Sequence, residues 1–243
     1  MFLGFQKLGL KINQNTSALF NGVPNSTFGS RLFDSVFDKA YAWYDANDCL
    51  VDGSGYVSQM NDLVGTNHAV QSVQANKPLQ VSGELNGYSI LRFSGNQWLK
   101  KQFPVILSQA ISVFIVWKKS AASPSVQAAY GHYSSNYFYH LYNASKIEIY
   151  AGGALLYSKA TTFDYLLNSN VYNSTSSEIF ENGVSQVSGN AGTFTMNGIT
   201  IGATYNNANN LTGDIAEIII FNEDLEESER QTVESYLINK YVL

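Results

Sequence analysis

The first chemistry to look for is acid catalysis, and the chain carries two carboxylates close together near its C-terminal end, Asp214 and Glu217. Glycoside hydrolysis needs two carboxyl groups facing one bond, and on a strand only alternate positions share a face. A spacing of three therefore predicts opposite faces for this pair. Their period-two neighbours, Ala216 and Ile218 for Asp214 and Ile215 and Ile219 for Glu217, are apolar, which suits a sheet face rather than a row of acids. Asp224, Glu226, Glu227 and Glu229 form a second acidic cluster, read as charges favourable to the start of a helix. No G-x-S-x-G turn occurs, and no motif links His68, His132 and His140 to a nucleophile, so His68 is read as structural. Hydrolysis is not expected.

Binding chemistry is better represented. Asp45, Asn47, Asp48 and Asp52 place hard oxygen ligands within a short stretch, the type that calcium prefers, although the spacing fits no EF-hand loop and turn chemistry explains the same residues. No other cofactor is expected. Sugar recognition asks for flat aromatic faces together with amides for hydroxyl groups. Tyr130, His132, Tyr133 and Asn136 open a dense aromatic and polar run that continues to Tyr142, and Tyr205, Asn206, Asn207 and Asn209 form a second polar loop. These eight residues are the candidate glycan surface. Alternation of Tyr137, Tyr139 and Leu141 with Phe138, His140 and Tyr142 means that one set belongs to the core. Trp43, Trp98 and Trp117 lie at or beside expected strands and are read as buried.

The elements that must hold these residues are strands. Only 14% of the 243 residues are charged, while 16 Tyr, 14 Phe and 19 Gly suit many strands joined by polar turns. Strands are expected at Ser89 to Phe93, Ala110 to Trp117, Tyr137 to Tyr142, Lys146 to Tyr150, Glu178 to Glu181, Gly198 to Ile201 and Ile215 to Phe221, with a hairpin turn at Asn182-Gly183. A closing amphipathic helix carries Val233, Tyr236, Leu237 and Tyr241 on one stripe. The net charge of −5 argues against nucleic acid as a partner, and no apolar run approaches the ~20 residues of a membrane helix. Cys49 is the only cysteine, so no intramolecular disulfide forms, and the first residues lack the pattern of a secretion signal. Residues 1–40 are rich in Asn, Gly and Ser with scattered apolar groups, and are expected to be an extended anchoring or oligomerisation arm preceding one domain over 41–243.

The order of motifs resembles a known family. Ala42-Trp43-Tyr44-Asp45-Ala46 resembles the W-x-D-A opening of laminin-G-like modules in the concanavalin A-like lectin/glucanase superfamily, and Gly213-Asp214-Ile215-Ala216-Glu217-Ile218-Ile219-Ile220-Phe221 followed by Tyr236-Leu237 and Lys240-Tyr241 resembles their ending. Leu91 to Gly95, Ile179 to Gly183 and Ile199 to Gly202 fall between in the family's order. The resemblance implies an all-β fold, a jelly-roll-like, two-sheet antiparallel β-sandwich with a short C-terminal helix. It also implies a non-enzymatic recognition protein. Modules of this type occur on bacteriophage fibres and capsid decorations, so the expected setting is a virion surface, with a cell-surface glycan as ligand and other virion proteins, or a second copy of the chain, bound through residues 1–40. The alternatives are an extracellular or bacterial cell-surface carbohydrate-binding module and, behind it, a glycoside hydrolase.

Overall fold

The computed structural model describes residues 35–120, 125–135, 138–160 and 162–243. Residues 1–34 of the arm expected over 1–40, and with them Asn136, lie outside the described residues. Within them the chain is antiparallel β-structure closed by one helix. The strands are β1 (Ala40–Val51), β2 (Val57–Asp62), β3 (Ala69–Val70), β4 (Leu79–Leu85), β5 (Tyr88–Ser94), β6 (Leu99–Leu107), β7 (Ile111–Lys119) and β8 (Val126–His132). They continue as β9 (Tyr139–Asn143), β10 (Lys146–Tyr150), β11 (Ala154–Ser158), β12 (Leu166–Tyr172), β13 (Ser177–Glu181), β14 (Val184–Gly189), β15 (Met196–Ile201) and β16 (Thr212–Phe221). The helix α1 spans Glu227–Tyr241.

All-β architecture and the closing helix agree with expectation, but the strands do not part cleanly into two sheets. They hydrogen-bond along one barrel-like path, β11-β10-β9-β8-β15-β6-β3-β2-β1-β16-β7-β12-β13-β14, with β5 paired to β16 and β4 to β5. Two strands prevent a division. β15 bridges β8 and β6, and β16 bonds β5 through Thr212 to Ile215 and β1 further along, with β7 on its other side. Side chains tie the first strand of the path to the last but one: Tyr157 on β11 donates to Glu181 on β13 at 2.6 Å, and Lys159 pairs with the same carboxylate at 2.5 Å.

Alternation of side chains yields two cores. The sheet folds around an inner cluster that includes Tyr44, Phe93, Trp117, Tyr130, Ile199 and Ile218. A second cluster lies between the outer face of β7, β12 and β16 and the helix, where Phe114, Ala216, Ile219 and Phe221 meet Val233, Leu237 and Tyr241. Val36 and Phe37, in a helical turn at 35–37, belong to this second core, and Phe37 stacks on Trp43 at 4.9 Å. The module therefore begins before Tyr41.

Candidate functional site

Asp214 and Glu217 come first because a β-bulge changes their expected geometry. Against β7, Ile215 pairs with Trp117 but Glu217 pairs with Val116, so Ala216 is the extra residue. One inserted residue shifts the parity of side chains, and both acids end on the outer face instead of opposite faces. Neither is accessible. Asp214 accepts from Arg92 at 2.9 Å and from Tyr165 at 2.8 Å, with Lys118 at 3.3 Å. Glu217 accepts from Trp43 Nε1 at 2.5 Å, Lys240 Nζ at 2.7 Å and Tyr241 at 2.7 Å. Both side chains are fully buried, and every contact named holds one element to another. They are structural ties.

The expected calcium ligands are likewise dispersed. Asp45, Asn47 and Asp48 lie on strand β1 rather than in a turn. Asp45 accepts from Asn47 and, at 2.7 Å, from the buried Lys240; Asp48 accepts from Asn61 at 2.8 Å; Asp52 accepts from Ser54, Tyr56 and Gln74. Each carboxylate thus serves its own local partners, and the described residues contain no group of three or more His, Cys, Asp or Glu side chains able to hold a metal ion. His68 is structural, its Nδ1 accepting from the Asp62 N–H at 3.0 Å.

The glycan candidates divide between core and surface. Tyr130 is wholly buried in the inner cluster, where its hydroxyl meets that of Tyr172 at 2.8 Å. Its assignment to a binding surface is corrected: it pairs with Ile201, an inward position. His132 is also buried, and its Nδ1 accepts from the N–H groups of Ser134 and Ser135 at 3.2 and 3.1 Å. Burial lowers its pKa to about 4, so the ring is neutral and shapes the turn. In the alternating run, Phe138, His140 and Tyr142 point inward, while Tyr139 is partly exposed.

Tyr133 and the loop at 203–210 remain near the surface, and they approach the same outer sheet face from opposite ends. A Cβ on Gly131 would lie 2.9 Å from Ala203 O and from Thr204 Cα, so only glycine lets that loop rest on β8. A Cβ on Gly198 would meet Tyr133 Cβ at 2.8 Å. Tyr205 is held there by its carbonyl, which accepts from Lys100 Nζ at 2.7 Å. Thr204 donates to Asn206, Asn209 accepts from the Ala128 N–H through its carbonyl, and Asn207 and Asn209 adopt positive φ, which Asn tolerates. The buried Oδ1 atoms of Asn197, Asn207 and Asn210 have no hydrogen-bond partner among the described residues.

A cross-strand row that the sequence does not reveal runs past the two loops, its centre at Thr200 and Gly131 buried under the 203–204 segment and its flanks open on either side. Leu50, Gln59, Val70, Lys100, Thr200, Gly131, Tyr139 and Tyr150 are paired one to the next across β1, β2, β3, β6, β15, β8, β9 and β10, so all project on one face. Tyr139 and Tyr150 stack with centroids 4.8 Å apart and planes 6° from parallel. Gln59 donates to Asn61, which donates to Asp48, forming an amide ladder beside the exposed Leu50 and Val70. Only the register of pairing reveals this face, because its members are scattered along the chain from Leu50 to Thr200.

No protein-family model and no curated protein sequence matches the chain. Solved structures do share its fold. A Trypanosoma rangeli sialidase in complex with sialic acid superposes with a TM-score of 0.59 at 11% identity, over 87% of this chain and 38% of that one. The ligand-binding domain of Botulinum neurotoxin serotype D, in complex with N-acetylneuraminic acid, superposes with a TM-score of 0.63 at 14% identity, over 85% and 53%. The receptor-binding domain of botulinum neurotoxin D gives a TM-score of 0.61 at 13% identity, over 84% and 54%. The chain spans from under two-fifths to about half the length of these structures.

Proposed function

We propose that the protein is a non-enzymatic recognition module that binds glycan on the outer face spanning β1 to β10. The observation that carries this is the cross-strand row running past the Tyr133 and Tyr205 loops: stacked tyrosines offer apolar faces, and Gln59, Asn61 and the Asn-rich loop offer donors and acceptors for hydroxyl groups. Likeness in fold to domains crystallised with sialic acid agrees with carbohydrate binding. Burial and ion pairing of Asp214 and Glu217 argue against hydrolysis.

The finer proposal is a laminin-G-like module displayed on a bacteriophage virion, with residues 1–34, the part of the expected 1–40 arm that precedes the second core, as the attachment to other virion proteins or to a second copy. Its support is the order of the W-x-D-A opening and the G-D-I-A-E strand. The alternative is a bacterial surface or secreted carbohydrate-binding module. Glycan-array binding by the full chain tests recognition. Tyr139→Ala combined with Tyr205→Ala should lower array signal about tenfold or more, on the scale of 1 to 3 kcal/mol for lost aromatic contacts, with the circular dichroism spectrum of the folded protein retained. Equal binding by the double variant would move the site elsewhere. Immunogold labelling of purified phage particles separates the two settings.

A further inference from the structure

We infer that the glycan face selects an anionic sugar, carboxylated or sulfated, through Lys100. The inference rests on the recognition reading above and adds the class of ligand. Lys100 stands in the middle of the cross-strand row, between Val70 on one side and Thr200 on the other. Its stem is flanked by apolar and hydroxyl groups, and it is half-buried. Its ammonium donates to one neutral acceptor, the Tyr205 carbonyl, and forms no ion pair among the described residues.

The acids on the same face are already engaged. Asp48 accepts from Asn61, and Glu148 accepts from Tyr139 at 3.0 Å and Asn143 at 3.4 Å. A cation that has lost part of its water without gaining a counter-charge is held at a cost, and desolvation lowers the Lys100 pKa accordingly. An anion docked beside Tyr205 would restore that lost stabilisation with a charge-assisted hydrogen bond, and the adjacent tyrosines and amides would contact the rest of the sugar. Because the whole chain carries −5, such an anion would have to be drawn by this local charge rather than by the overall field.

The test measures binding of the full chain to matched neutral and anionic sugars: lactose, sialyllactose and sulfated lactose, and oligogalactose against oligogalacturonate. The expected result is roughly tenfold or greater preference for at least one anionic member of a pair, the scale of one hydrogen bond to a charged group. Lys100→Met should erase the ratio of anionic to neutral binding, whatever it does to the neutral level through the Tyr205 loop, and Lys100→Arg should keep the ratio. The carboxylated and sulfated arms identify the source of the anion. Equal affinity for neutral and anionic partners would overturn the role of Lys100 and leave glycan recognition standing. A preference that persists in Lys100→Met would also overturn it. Binding of no sugar in the panel would overturn both.

Discussion

Lys240 shows how a single residue can decide whether a motif is catalytic or structural. Its ammonium lies 2.7 Å from both Asp45 and Glu217, with the Tyr236 hydroxyl at 3.1 Å. Burial opposes its charge, but Glu217, Tyr236 and Asp45 outweigh burial and raise its pKa, so it remains protonated. Lys240→Met would leave two buried carboxylates without their cation, and should cost about 3 to 5 kcal/mol in chemical denaturation. Adding Glu217→Leu should recover part of that loss; additive damage would show that the pair is not coupled. A second prediction concerns pH. Burial lowers the pKa of His132 to about 4 and of His140 to about 3, both below the ordinary value near 6.5. The unfolded chain then binds more protons than the folded one between those limits, so stability is complete above about 6.5 and falls as pH drops toward 4, by up to about 1.4 kcal/mol per unit for each histidine. Denaturation midpoints at pH 7, 5.5 and 4.5 should show the decline, and His140→Leu should make it shallower. An equal slope in that variant would remove His140 as a cause and leave His132 and the carboxylates.

At the scale of elements, the helix and the bulge divide the work. The helix contributes Val233 and Leu237, both fully buried against β16 and β7, and Lys240 to the buried ion cluster. Leu237→Ala should cost about 2 to 5 kcal/mol, and a loss below about 1 would show that the helix is not docked. The bulge at Ala216 places Glu217 beneath that helix. Deleting Ala216 should close the bulge and leave Glu217 on the outer face between the inward Ile215 and Ile218, so the protein should still fold, at a lower melting temperature for the lost Ala216 packing; a variant that does not fold would show that the bulge itself is required. Gly131 has the corresponding importance for the site: Gly131→Ala brings a methyl to 2.9 Å from the backbone of 203–204, so the loop must lift. Reduced glycan binding with a melting temperature within a few degrees of the parent is expected, whereas intact binding would remove that loop from the site.

For the whole molecule, the domain edge follows the second core rather than the change in composition. Val36 is fully buried and Phe37 stacks on Trp43, so a chain starting at Ser35 should melt cooperatively like the full protein. A chain starting at Tyr41 loses those contacts and the Lys39 ion pair with Glu229, and should melt lower. If residues 1–34 attach the module to other virion proteins or to a second copy, the Ser35 chain should also fail to assemble in light scattering, while still binding glycan. Assembly equal to that of the full chain would place the attachment surface within the module.

Sequence alone determined what depends on local chemistry. Aromatic and glycine-rich composition, turn residues at Asn182-Gly183 and the amphipathic run ending at Tyr241 specify an all-β chain closed by a helix, because strand alternation and helical periodicity are written in neighbouring residues. The same locality allowed Tyr133, Tyr205 and the asparagines around 207 to be found as polar loops. Tertiary structure decided the rest. A bulge depends on how two strands pair, so the shared face of Asp214 and Glu217 could not be read from their spacing. Tyr130 and Tyr139 differ in fate because one pairs with Ile201 and the other with Gly131. Lys100 and Tyr150 joined the candidate site through cross-strand register, which is set by contacts between residues far apart in the chain and leaves no local trace.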